Sequence, residues 1–353
     1  MLGLRGLATG IGSLPHREVG EALELVFKYF PQIPFWPQLP KRDIREGMVA
    51  QFSEGLPCVE VNSRGAFFNP QDKEKKLEEF YARVITPESD HKKDPFKISP
   101  EYAAGLYAFH KRLKASDLSA IRYIKCHITG PFTFAASLKD EKGVALLHDA
   151  VFMQAIIEGL ARKALWQIGF FREFAKKLII FIDEPYLGCF GSAYTPINRE
   201  EVVKGLGSLT ENIKLQPGTL TGVHCCGNTD WSIFIDTHTL DIINFDAFSY
   251  LDKLLLYADD LKGFFGNNRI FCWGIVPTQE FSDRITAEGL VKKINDGIAT
   301  LVGKGVDKDK LSENLLLSPA CGLGTLDTEK AEGIFGILAQ LSSLVRQNGA
   351  RLG

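Results

Sequence analysis

Leu220-Thr-Gly-Val-His-Cys-Cys-Gly-Asn-Thr-Asp-Trp231 changes character halfway along its length. An apolar run ends at His224, Cys225, Cys226 and Gly227 close it, and Asn228-Thr229-Asp230 then offers a helix N-cap. The pattern predicts a strand whose tip carries soft metal ligands, followed by a helix. Side chains alternate along a strand, so His224 and Cys226 share a face and Cys225 points away. The working pair is therefore His-x-Cys. A neutral imidazole and a thiolate on one face suit zinc, but two ligands do not complete a site.

Working outward, the same strand-then-helix rhythm repeats. Downstream, 242–245 is a strand tipped by Asp246, 249–263 is helical, 269–273 is a strand and 287–302 a helix. Then 315–317 leads to Ser318-Pro-Ala-Cys-Gly-Leu323 and a last helix, 327–346. The stretch 198–209 reads as a helix before the quoted strand, and 230–237 as one after it. Upstream, 178–182 is the most apolar strand, tipped by Asp183-Glu184-Pro185. It follows a long helix at 146–176, a strand at 121–128 ended by Thr129-Gly130-Pro131, and a helix at 100–114. Near the N-terminus, 7–14 is a short strand, 18–30 has helical spacing, and 33–39 is a second short strand, broken by Pro37 and Pro40. The region 41–99 is irregular: helices are expected at 45–53 and 73–84, and a hairpin pairing 58–62 with 65–68. Eight strands, each followed by a helix, predict an α/β chain folded as one (β/α)8 TIM barrel over 1–353. The region 41–99 is then an insertion after strand 2. No Gly-x-Gly-x-x-Gly follows the first strand, so dinucleotide binding has little support.

With 45% hydrophobic and 24% charged residues, the chain has material for a large core. A formal net charge of −2 argues against nucleic acid or an anionic membrane as partner and fits a small neutral or zwitterionic substrate. No secretory h-region and no run of about 18 apolar residues occurs, so a soluble, cytoplasmic protein is expected. Seven cysteines, an odd number, then read as reduced thiols, with Cys126 and Cys272 inside apolar strands as core residues.

A barrel keeps its chemistry at the carboxyl ends of its strands. There this chain places Ser13 and His16, Gln38, Thr129, Asp183 with Glu184, His224 with Cys226, Asp246, and Cys321, with His16 read first as a local hydrogen-bonding residue. Asp246 has a plain alternative role as the N-cap of the following helix, and Cys321 as a core thiol. Taken together, His224, Cys226, Asp246 and Cys321 fall on strands five, six and eight and face one mouth, and structural or catalytic zinc takes about four such ligands.

Four motifs give the chain a family resemblance: Ile11-Gly12-Ser13, Ile182-Asp183-Glu184-Pro185, His224-x-Cys226, and Pro319-Ala-Cys321-Gly322-Leu323. It resembles the catalytic C-terminal barrel of the cobalamin-independent methionine synthase superfamily, which also takes in uroporphyrinogen decarboxylase and corrinoid-dependent zinc methyltransferases. The resemblance implies zinc held by His224, Cys226 and Cys321, with Asp246 where the family has a Glu. It implies a substrate ammonium bound by Asp183, a carboxylate held near Ile11, Gly12 and Ser13, and Glu184 in the catalytic set. The implied activity is zinc-dependent methylation of a small, homocysteine-like thiol by a methyl-corrinoid protein or methyltetrahydrofolate. This length leaves room for one barrel only, which favours the corrinoid, because the family's folate enzymes use a second barrel to help hold the folate. The family's Glu-Arg-Asn-Asp-Met-Val stretch, whose Glu touches the amino acid, is matched here by Ile44-Arg45-Glu46-Gly47-Met48-Val49. A metal-free decarboxylase and a non-catalytic zinc-binding relative are the competing expectations, and the retained ligands speak against the first.

Overall fold

The structure, a computed structural model, describes residues 4–86, 92–140, 142–175, 177–192 and 197–347. Its strands in chain order are β1 (Leu7–Ala8), β2 (Val59–Asn62), β3 (Gly65–Phe68), β4 (Ile124–Thr129), β5 (Leu178–Asp183), β6 (Thr219–Cys225), β7 (Ile242–Phe245), β8 (Ile270–Val276) and β9 (Leu315–Pro319). The helices are α1 (Val19–Tyr29), α2 (Lys73–Ile85), α3 (Ala104–Lys114), α4 (Pro131–Ser137), α5 (Ala150–Phe171), α6 (Arg199–Lys214), α7 (Ser232–Asp236), α8 (Ala247–Leu254), α9 (Ala258–Gly266), α10 (Ala287–Gly303), α11 (Lys308–Glu313) and α12 (Thr328–Gln347).

Seven strands form one curled parallel sheet in the order β1-β9-β8-β7-β6-β5-β4, and β2 with β3 forms the expected separate hairpin. Both faces of the large sheet are buried, which is why β5 reads Leu-Ile-Ile-Phe-Ile-Asp without alternation. The inner face holds its own apolar cluster, including Leu7, Tyr123, Ile179, Phe181, Ile242 and Leu316, separate from the larger core beneath the helices. Side-chain caps set several helix starts. Asp149 accepts from Val151 N (3.0 Å) and Phe152 N (3.2 Å) to open α5, and Thr286 accepts from Gly289 N (3.1 Å) to open α10.

The segment expected as the second strand, 33–39, is not a regular strand, because Pro34 and Pro37 have no N–H to give to a ladder. Its other backbone groups still bond in both directions. Gln38 N donates to Gly12 O (3.0 Å), and Lys125 N of β4 donates to Pro34 O (3.0 Å), in the isolated parallel bridges Ser13↔Gln38 and Phe35↔Lys125. The segment thus links the two edges of the sheet.

The inserted region departs from expectation at 45–53, which forms two 3-10 turns, Ile44–Glu46 and Ala50–Phe52, in place of a helix. It is fastened to the β4 end of the sheet: Thr129 Oγ1 donates to Met48 O (2.6 Å) and Gln38 Nε2 to Gln51 Oε1 (2.6 Å). Residues 87–91 of this region, and residue 176 of the expected long helix, lie outside the described residues. The helix expected at 249–263 is divided by a 3-10 turn at Leu255–Tyr257, and α4 and α11 are additional. No described helix is long and apolar enough to cross a membrane.

Candidate metal centre at the strand tips

Strand register sets the site. Thr129, Asp183, His224, Asn244, Cys272, Leu316 and Leu7 are successive partners across the sheet, so their side chains lie in one row on the inner face. One step past the row, β6 ends and Cys226 follows. Cys321 lies just beyond β9. The ligand atoms of His224, Cys226 and Cys321 all lie within 4.8 Å of one another, the one such group of three or more His, Cys, Asp and Glu among the described residues. Cys225 is buried in the core on the helix side, as strand alternation requires, and Cys126 and Cys272 are buried as expected.

His224 is held in one tautomer. Asn244 Nδ2 donates to Cys272 O (2.8 Å) and Ser318 Oγ (2.8 Å), so its Oδ1 is left to accept from His224 Nδ1–H (2.5 Å). Nε2 then keeps its lone pair. A ring nitrogen anchored on an amide oxygen while the other is free is the usual arrangement of a metal-binding imidazole. The closeness of the two thiols pushes Cys321 down and Cys226 up, and His224 adds to the fall at Cys321. Burial disfavours charge on His224, but Cys321, Asp183 and Asn244 together leave its pKa raised. One imidazole lone pair and a thiol already disposed to lose its proton fit zinc in donor type.

The loops carrying the thiols are fixed by close backbone packing. A Cβ on Gly227 would lie 2.7 Å from the Cα of Gly188, so the turn after Cys226 rests on the turn after β5 with no room for a side chain. The loop after β9 is held by Ser13, whose carbonyl accepts from Leu323 N (3.0 Å) and whose Oγ accepts from Gly324 N (3.3 Å). Ser13 is thereby joined to the loop of Cys321. Asp246 is the N-cap of α8, accepting from Ser249 N (2.8 Å), and lies outside the group of three. It does line, with Cys226 and Cys321, a cavity of about 300 Å³.

The two neighbouring carboxylates of β5 differ. Glu184 accepts from Phe132 N (2.9 Å), Thr133 N (2.8 Å) and Thr133 Oγ1 (2.7 Å), so both oxygens are taken up at the start of α4. Burial still pushes it up to about 7, against those hydrogen bonds. Asp183 is also buried, and its Oδ1 has no hydrogen-bond partner. Burial pushes it up to about 6, with His224 and Lys125 opposing.

Two polar residues on β4 escaped the sequence reading. Lys125 is fully buried with its ammonium on Ile11 O and 4.5 Å from the centre of the Phe181 ring, and burial lowers it to about 8. His127 stacks on Trp36 at 3.9 Å, neither ring nitrogen has a partner, and its edge abuts Gly12, where a Cβ would come within 2.8 Å. Two cationic residue types on the inward phase of an otherwise apolar strand were the available signal. No family model and no curated protein matches the chain.

Proposed function

We propose that the chain is a zinc-dependent methyltransferase that activates a small, homocysteine-like thiol. In this reading it is built on a (β/α)8 barrel whose eighth stave is the proline-interrupted segment 33–38. The observation that carries the proposal is the convergence of His224, Cys226 and Cys321, with the imidazole held by Asn244 through Nδ1 so that Nε2 keeps its lone pair. Those three would hold the ion, and Asp246, on the wall of the same cavity, is the proposed fourth protein ligand. Zinc bound there would supply Lewis acidity that keeps a substrate thiol as thiolate at neutral pH.

The protein's own groups would do the rest. Asp183, with an unpaired oxygen beside His224, is suited to accept hydrogen bonds from a substrate ammonium. The turn at Ile11, Gly12 and Ser13 would hold the substrate carboxylate, braced from behind by Lys125. Glu184 would act on that site by fixing the start of α4. The methyl donors implied by the family resemblance are a methyl-corrinoid protein and methyltetrahydrofolate.

The test is metal analysis of the purified protein, followed by cobalt substitution to look for thiolate-to-cobalt absorption. Methyl transfer to homocysteine and other small thiols is then followed from methylcobalamin and from methyltetrahydrofolate triglutamate. About one zinc per chain, cobalt–thiolate bands and transfer to a thiol are expected. Absence of metal and of those bands would overturn the reading. Metal without transfer to any thiol would favour a zinc-binding relative without turnover.

A further inference from the structure

The cavity beside the two thiols has a composition of its own. Its wall carries the carboxylates of Asp246 and Glu280, the ring of Tyr250 and the amide of Gln279, and no lysine, arginine or histidine. The N-terminus of α8 points here and would otherwise attract an anion, but Asp246 already caps it. The charge of a zinc ion held by Cys226 and Cys321 would be balanced by the two thiolates, so a polyanionic donor entering this space would still meet the uncompensated charge of Asp246 and Glu280. The volume, about 300 Å³, is that of a small-molecule pocket, and a corrinoid macrocycle would have to stay on the rim. A carboxylate pair with an aromatic ring is the complement of a compact onium ion, whose charge is spread over methyl groups and binds to π faces.

We infer that this cavity seats a small cationic methyl donor, a methylsulfonium or a methylated ammonium ion, next to Cys226 and Cys321. The inference rests on the thiol methyltransferase reading above and names the donor for it. The chemistry balances without an added reagent. The thiol loses its proton to solvent, the thiolate sulfur forms a bond to the methyl carbon, and the bond from that carbon to the onium sulfur or nitrogen breaks. Its electron pair goes to the leaving atom, which departs as a neutral sulfide or tertiary amine. No acid is needed to protonate the leaving group, unlike a methyl amine that carries no charge.

Binding is tested first on metal-free protein by calorimetry, comparing choline with its uncharged tert-butyl analogue, which has the same shape. Choline is expected to bind tighter than the analogue. Glu280→Gln should weaken choline about threefold while leaving the analogue unchanged, as should Tyr250→Leu for its own reason. Equal affinity for the two compounds, or no response to either substitution, overturns the inference. Transfer to mercaptoethanol is then measured on zinc-loaded protein from trimethylsulfonium, methylcobalamin and methyltetrahydrofolate. Transfer fastest from the sulfonium supports it. Transfer from the corrinoid or folate alone overturns the cationic donor and leaves thiol methylation standing, whereas failure to bind zinc removes the reading beneath it.

Discussion

The two sides of the mouth formed by the strand tips of the curled sheet bury polar groups in different ways. On the β6, β7 and β9 side the groups around the candidate ligand His224 are paired, His224 with Asn244 and Asn244 with Ser318, and the unpartnered Thr229 Oγ1 and Trp231 Nε1 lie past the end of β6. On the β4 and β5 side, Asp183 Oδ1 and both nitrogens of His127 have no partner, although Glu184 one residue away has three. An unpaired buried polar group costs roughly 1–3 kcal/mol, so the second side holds strain that a ligand would relieve. The first side brings three candidate metal ligands together, and the second leaves polar atoms unanswered.

The largest expected effect breaks the first side outright. Cys226→Ser or Cys321→Ser should reduce zinc from about one per chain to a small residue, while Cys225→Ser, in the helix-facing core, keeps it. Zinc retained in both of the first two variants, measured by elemental analysis, would remove the metal centre. Next in size is a pH effect on the second side. The Glu184 carboxyl titrates near its usual 4.5 when unfolded and at about 7 when buried, so folding favours its protonated form. Its stabilising contribution is complete below pH 4.5 and is lost as pH rises towards 7, a decline of up to about 3 kcal/mol. Glu184→Gln should be less stable in absolute terms, since an amide nitrogen cannot accept from Thr133. Its urea stability should nonetheless lack that decline, and an unchanged slope would show that the three donors, not burial, govern the group.

Asn244→Ala tests whether the ring anchor matters as much as the ligands. With Nδ1 no longer fixed, zinc affinity measured by chelator competition should fall about tenfold to hundredfold. Asn244→Asp, which keeps an acceptor for Nδ1–H, should recover most of it. Equal loss in both variants would mean that Asn244 serves packing through Ser318 and Cys272 alone.

Much of the first side was legible in the sequence because its residue types are rare and periodic. His224 and Cys226 announce a shared face by their spacing of two, and strand alternation by itself assigns Cys225 to the core. Asn244 was hidden, since one amide inside Ile-Ile-Asn-Phe looks like a tolerated polar residue until the register sets it opposite His224. On the second side the prolines of 33–39 signal a broken strand, and the segment keeps only isolated bridges at Phe35 and Gln38. Asp246 carried two roles that sequence could not separate, and the structure gives it the helix cap while leaving it on the cavity wall. Lys125 and His127 were overlooked because an inward-facing polar side chain has no signature beyond its phase along the strand.

The smallest expected effect concerns the fold itself. Stripping metal with a chelator should leave the far-ultraviolet circular dichroism unchanged and lower the melting temperature only slightly. The physical reason is where the apolar contacts lie. Ile179, Phe181, Ile242 and Ile270 fill the inside of the sheet below the row of His224, and the larger core lies outside it under the helices. Each such side chain contributes about 1.5–3 kcal/mol when buried, so neither cluster depends on an ion at the rim. A small zinc module, by contrast, has no core without its metal. The Cys226 loop also has support of its own in the Gly188–Gly227 contact, and the Cys321 loop in its two bonds to Ser13. A chelated protein that lost its secondary structure would show that the two sides of the mouth are not independent, and that the metal side holds the other in place.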